Sequence, residues 1–177
     1  MLLQNKNFFQ IFSIPEAYDL DPVLLAENYR ELQAQVHPDR FANASEAEKL
    51  QAVKSTSVLN DAYETLRSPQ GRAAHLLQLR DVDVSKVSQS DLSPALLFEQ
   101  IQLREELEDI PRDEKSLNKL DHMRKQIEEK VRDCQKLFVK NSNTGQLLRA
   151  KSNYYEMQYL FKLLSDMDAI EEDLLGY

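Results

Sequence analysis

Apolar residues recur along this chain at the period of a helix, and no stretch alternates with the period of a strand. Phe8, Phe9, Ile11 and Phe12 cluster ahead of Pro15, which predicts a brief first helix. Asp21-Pro22 is a helix start, with an aspartate cap and a proline at the first helical position, where the missing N–H costs nothing. Leu25, Tyr29, Leu32 and Val36 then follow at i, i+4, i+7 and i+11, a single buried face. That helix must stop near Val36, because Pro38 pushes the residue before it out of helical geometry. His37-Pro38 is therefore a forced turn. Ser45 with Glu48 three residues on reads as a capping box for the next helix, which carries Leu59, Ala62, Tyr63 and Leu66 on one face. Ser68-Pro69 opens a shorter one with Leu76, Leu77 and Leu79.

Residues 81–92 are polar and aperiodic, which predicts a linker between a domain at 1–80 and another at 93–177. Ser93-Pro94 repeats the cap-and-proline start. Three long helical segments follow, roughly Pro94–Asp109, Asp113–Lys140 and Gly145–Leu175, split by Pro111 and by Asn141-Ser142-Asn143. Short connections between long helices imply antiparallel neighbours, hence a three-helix bundle. The fold class expected is all-α.

Two of the bundle helices carry more apolar surface than one core stripe needs. At about 100° per residue from Leu96, the residues Leu103, Leu107 and Ile110 fall within about 40° of it. Leu97, Ile101 and Phe98 fall near 100°, 140° and 200°, and Glu105 and Asp109 extend that second stripe at about 180° and 220°. In the last helix Ala150, Tyr154, Met157, Leu160, Phe161 and Leu164 share one side, and Leu148, Tyr155, Tyr159, Leu163 and Ile170 share another. A bundle helix touches two neighbours, so a broad apolar face can be core. Doubled stripes on two helices, one of them edged by acids, point instead to an exposed patch for a protein partner.

Composition narrows the classes. The formal charge is −8, with 8 Lys and Arg against 10 Asp and Glu in residues 1–80 and 14 against 20 in the remainder. That balance argues against nucleic-acid binding and places most of the acidity in the second domain. No apolar run approaches the roughly 20 residues a bilayer requires, and Met1 to Asn7 has no secretory-signal pattern, so a cytoplasmic protein is expected. The single cysteine, Cys134, excludes an internal disulfide and any multi-cysteine metal site within the chain. It sits on the stripe Ile127, Val131, Cys134, Phe138 and reads as a buried thiol. No cofactor or metal site is expected.

The chemistry concentrates at His37-Pro38-Asp39. The histidines His75 and His122 stand without companions at ligand spacing, so a hydrolytic or metal reading of His37 and Asp39 has no support. The tripeptide alone would be a polar turn, but it lies between two amphipathic helices, the second closing on Asp61-Ala62-Tyr63-Glu64-Thr65-Leu66-Arg67-Ser68-Pro69. In that context it resembles the J-domain, the module that stimulates ATP hydrolysis by DnaK-class chaperones. The resemblance implies that His37, Pro38 and Asp39 are required for stimulation and that the preceding helix, with Arg30, and the adjacent Arg40 meet the chaperone. J-domains usually carry several basic residues on that helix. Here Arg30 stands between Glu27 and Glu31, which should slow association and favour a dedicated partner.

Three glycines and one cysteine leave no room for the Gly/Phe region or zinc modules of general J-proteins. With Leu96-Leu97-Phe98-Glu99-Gln100-Ile101-Gln102-Leu103-Arg104-Glu105-Glu106-Leu107-Glu108 in a helical bundle behind the J-domain, residues 7–177 resemble the HscB family, J-type co-chaperones of iron–sulfur cluster assembly. The chain lacks the N-terminal CxxC pair of some eukaryotic relatives and looks bacterial. The family resemblance implies that the protein is not an enzyme. It implies a J-domain docking on an HscA-type ATPase and a bundle binding the scaffold IscU through Leu97, Phe98, Ile101, Glu105, Asp109 and Tyr159. Gln102 stands where an acid would suit that patch. The alternatives are a general folding co-chaperone and a structural adaptor that no longer stimulates hydrolysis.

Overall fold

The computed structural model describes residues 6–85, 93–111 and 116–175, and these form helices and turns with no strand. The α-helices are α1 (Phe8–Ile11), α2 (Pro22–Val36), α3 (Glu46–Arg67), α4 (Pro69–Gln78), α5 (Pro94–Glu108), α6 (Leu117–Asn143) and α7 (Leu147–Leu175), with a 3-10 turn at Pro38–Phe41. The expected all-helical architecture, a J-domain followed by a helical bundle, is the one observed. The chain divides into two compact units, Met1–Asp81 and Val82–Tyr177. Of the expected linker 81–92, residues 86–92 lie outside the described residues, as does the expected helix start at Asp113.

Local chemistry sets the helix starts. Asn7, Asp21, Ser45, Ser68 and Ser93 each accept a backbone N–H from the first turn that follows, and Pro22, Pro69 and Pro94 occupy positions that need no donor. Ser45 and Glu48 form the expected capping box, and the two bonds from Ser45 hold the Glu48 carboxyl below its ordinary pKa. In the first unit α3 is the hub, packing against α1, α2, α4 and the 3-10 turn. Phe9, Phe12, Leu25, Leu59, Leu66 and Leu77 are fully buried, each contributing about 1.5–3 kcal/mol on removal from water. Tyr29 and Tyr63 stack at 4.1 Å between α2 and α3. A Cβ at Gly71 would stand 2.4 Å from the Thr65 carbonyl oxygen, so only glycine lets α4 fold back this closely on the end of α3.

The four-residue α1 is too short to hold itself. Its Phe8 N–H donates to Nε2 of the buried His75 on α4 at 3.3 Å, and the two rings stack with centroids 4.4 Å apart. Burial pushes the His75 pKa below its ordinary value, against smaller opposing effects of Gln78 and Glu16. The imidazole is thus kept neutral, with a lone pair free for α1.

In the second unit α6 and α7 pack along most of their length, and Leu120, Met123, Ile127, Val131, Leu160, Leu163 and Met167 form its core with Leu107 and Ile110 of α5. Cys134 is buried, as its stripe suggested, and its Sγ–H donates to the Asn153 carbonyl at 3.1 Å. Burial pushes its pKa far above the ordinary thiol range, so it is not a nucleophile.

Two expectations are corrected. Asn141-Ser142-Asn143 does not break the helix; all three belong to α6. Asn141 and Ser142 are buried, and the Asn141 amide donates to Asn153 Oδ1 at 2.8 Å across the hairpin. The chain turns instead at Gly145, whose φ of +71° suits glycine, while Gly145 and Gln146 N–H groups satisfy the Ser142 and Asn141 carbonyls. The second apolar stripe of α7 is also mostly core: Tyr155, Leu163 and Ile170 are buried, because α7 is covered by both α6 and α5. Leu148 alone of that group stands 81% exposed, and Tyr159 is half-buried.

Candidate functional site

His37 ends α2 and starts the 3-10 turn, so its backbone serves both elements. Its Nδ1 accepts the Asp39 N–H at 3.3 Å and lies 3.6 Å from Asp39 Oδ2, which leaves Nε2 as the ring's outward donor. The Asp39 side chain is 91% exposed. The loop is tied down from behind. Thr56 of α3 donates to the Val36 carbonyl at 3.2 Å, and Arg40 donates to the Ala34 carbonyl at 3.1 Å, capping the free carbonyl end of α2 with a cation. Val36, Phe41 and Ala52 line a cleft of about 210 Å³ beneath the loop.

The tripeptide is thereby an anchored turn whose His37 and Asp39 side chains are open to solvent. The structure brings His37, Pro38, Asp39 and Arg40 into one turn. Arg30 lies exposed on α2, seven residues and about 10 Å of helix before His37, two turns back on nearly the same face. Thr56 is not marked by any sequence pattern, because its role depends on the packing of α2 against α3.

On α5 the buried side chains are confined to the C-terminal end, at Leu107, with Ile110 just beyond the helix. Phe98 and Ile101 are 62% and 56% exposed, Leu97 is half-buried, and Glu105 and Asp109 are exposed. Leu97, Ile101, Glu105 and Tyr159 line one groove of about 330 Å³ with Gln100 and Arg104. Glu105 also belongs, with Asp109, Gln102 and Glu106, to a neighbouring groove of about 730 Å³ closed on the α6 side by Lys119, His122 and Met123. Phe98 is absent from the lining of either groove and projects separately from α5.

Tyr159 faces inward as well as outward. Its hydroxyl donates to the Gln100 carbonyl of α5, and burial raises its pKa, so the phenol stays a neutral donor. Arg104 donates to Glu108 at 2.8 Å on its own helix and also to Asp166 on α7. The Arg104–Glu108 spacing is legible in sequence, but the Asp166 partner is not. The arrangement exposes an apolar strip with a carboxylate edge, chemically suited to an apolar segment bearing basic groups. Among the described residues no group of His, Cys, Asp or Glu could hold a metal ion, and no helix is long and apolar enough to cross a membrane.

The family described as the HSCB C-terminal oligomerisation domain matches residues 92–168. A protein named co-chaperone protein HscB homolog from Shewanella frigidimarina is 35% identical over 173 residues, covering 96% of this chain and 99% of that protein. One of the same name from Vibrio vulnificus is 33% identical over 170 residues, with 96% and 99% coverage. The structure titled chaperone HscB from Vibrio cholerae superposes with a TM-score of 0.86 at 31% identity, over 96% of this chain and 99% of that one. The human co-chaperone protein HscB gives the same TM-score at 22% identity, over 94% of this chain and 82% of that one, and bears on the fold alone.

Proposed function

The chain belongs to the HscB family of co-chaperones, and from that premise we propose that it stimulates ATP hydrolysis by an HscA-type, DnaK-class chaperone while presenting an IscU-type iron–sulfur scaffold to it. One observation carries the reading: each unit offers its own exposed site, and the two differ in chemistry. The first unit presents the anchored His37-Pro38-Asp39 turn with Arg30 and Arg40. The second presents Leu97, Phe98 and Ile101 with Glu105, Asp109 and the groove wall Tyr159. Hydrolysis takes place on the chaperone, and this chain acts by binding two proteins. The cluster is cargo of the scaffold, and the working compartment is the cytoplasm.

Binding both partners at once raises the scaffold's effective concentration at the chaperone, so the two effects should multiply. The test is steady-state ATP hydrolysis by a purified HscA-type chaperone with this protein, with and without the scaffold. Stimulation that rises further with scaffold is the expected result. Stimulation indifferent to scaffold and supported by many unfolded chains would make it a general folding co-chaperone. Scaffold binding without stimulation would reduce it to an adaptor.

A further inference from the structure

We propose that Lys130 of α6 and Asp166 of α7 are positioning residues for the docking face, setting the roll of α5 about its own axis. The proposal rests on the scaffold-docking reading of α5 given above. The hydrophobic seal of that helix is strong only at one end, where Leu107 is 2% exposed. Toward the other end Leu96 and Leu103 are half-buried, and Phe98 and Ile101 face solvent. Apolar contact is non-directional, so two half-buried leucines do not by themselves fix the angle at which a helix sits.

Polar bridges stand where that seal is thin. Lys130 Nζ donates to Glu99, Arg104 donates to Asp166, and the Tyr159 hydroxyl donates to the Gln100 carbonyl. On the helical wheel centred on Leu96, Glu99 falls at about −60° and Arg104 at about +80°, on opposite flanks of the buried line. A roll in either direction would stretch one bridge, so together they hold α5 from both sides. Lys130 and Glu99 line, with Leu96, Leu103 and Leu160, a small cleft of about 10 Å³ at the edge of this seam. The side chains of both ion pairs are partly exposed, at 43% and 39% for Lys130–Glu99 and 47% and 33% for Arg104–Asp166. Such pairs add little to global stability, which separates an orienting role from a structural one.

Both ion pairs can be stripped of their charge attraction from their far ends without touching any residue of α5. In full-length protein, Lys130→Gln combined with Asp166→Asn should speed hydrogen exchange of the α5 amides severalfold in the absence of any partner. The thermal midpoint should stay within about 2 °C, and calorimetric affinity for purified IscU-type scaffold should fall about fivefold. Lys130→Glu should weaken binding further by repelling Glu99, and Glu99→Lys with Lys130→Glu should restore it. Unchanged exchange in α5, a midpoint that falls together with faster exchange throughout α6 and α7, or a swap that fails to rescue would each overturn the proposal. Wild-type protein with no affinity for the scaffold would defeat the docking reading instead, and the exchange data would still judge the bridges.

Discussion

Phe98 and Ile101 together define the outward side of α5, and neither supports the core beneath it. Replacing both by alanine should therefore change stability by no more than about 0.5 kcal/mol each, the usual range for surface positions. Scaffold affinity measured by calorimetry should drop at least about tenfold, as for exposed aromatic and aliphatic anchors at an interface centre. A large fall in the denaturation midpoint would show that these side chains are core. Leu97 is a poorer probe, because it is half-buried and its loss mixes packing with docking. These positions were legible in sequence because the helical wheel separates them from Leu96, Leu103 and Leu107. Arg104 and the Tyr159 hydroxyl were not, since their partners Asp166 and Gln100 lie 62 and 59 residues away along the chain.

Helix starts could be read from single residues, because a cap is a contact within one turn. Asn141-Ser142-Asn143 misled for the opposite reason: polar residues at a helix end look like a break until the partner of Asn141 across the hairpin, Asn153, is known. The same limit applies to α1, whose docking depends on His75, 67 residues downstream of Phe8. That contact makes the first unit sensitive to pH. The folded state holds His75 below its ordinary pKa, while the unfolded chain takes up a proton near pH 6.5. Its contribution is therefore fully present above about pH 6.5 and is lost as pH falls below that value toward the folded pKa. Urea denaturation followed by hydrogen exchange of the α1 amides should show this loss as pH falls below about 6.5 in the wild type. His75→Gln should lack that component, and a wild-type profile parallel to the variant's would rule it out.

Across the whole molecule the two sites lie in separate units with separate cores, so a lesion in one should leave the other intact. His37→Gln should abolish stimulation of chaperone ATP hydrolysis, yet scaffold affinity by calorimetry should match the wild type and the circular dichroism spectrum should not change. Retained stimulation would remove His37 from its assigned role. The division of charge, −2 in residues 1–80 and −6 beyond, follows the same separation.

The part-buried Asn141–Asn153 pair acts as a register mark for the long hairpin. A row of interchangeable leucines and methionines would tolerate sliding α7 along α6 by one turn, about 5.4 Å. The amide pair does not, because a slip would strand the largely buried Asn141 amide at a cost of about 1–3 kcal/mol. Tyr159 follows Asn153 by six residues, about 9 Å along the same rod, and its phenol meets the Gln100 carbonyl in this register. An amide near the hairpin bend thus sets the alignment of a groove more than a helical turn away, as a notch fixes the reading on a sliding scale.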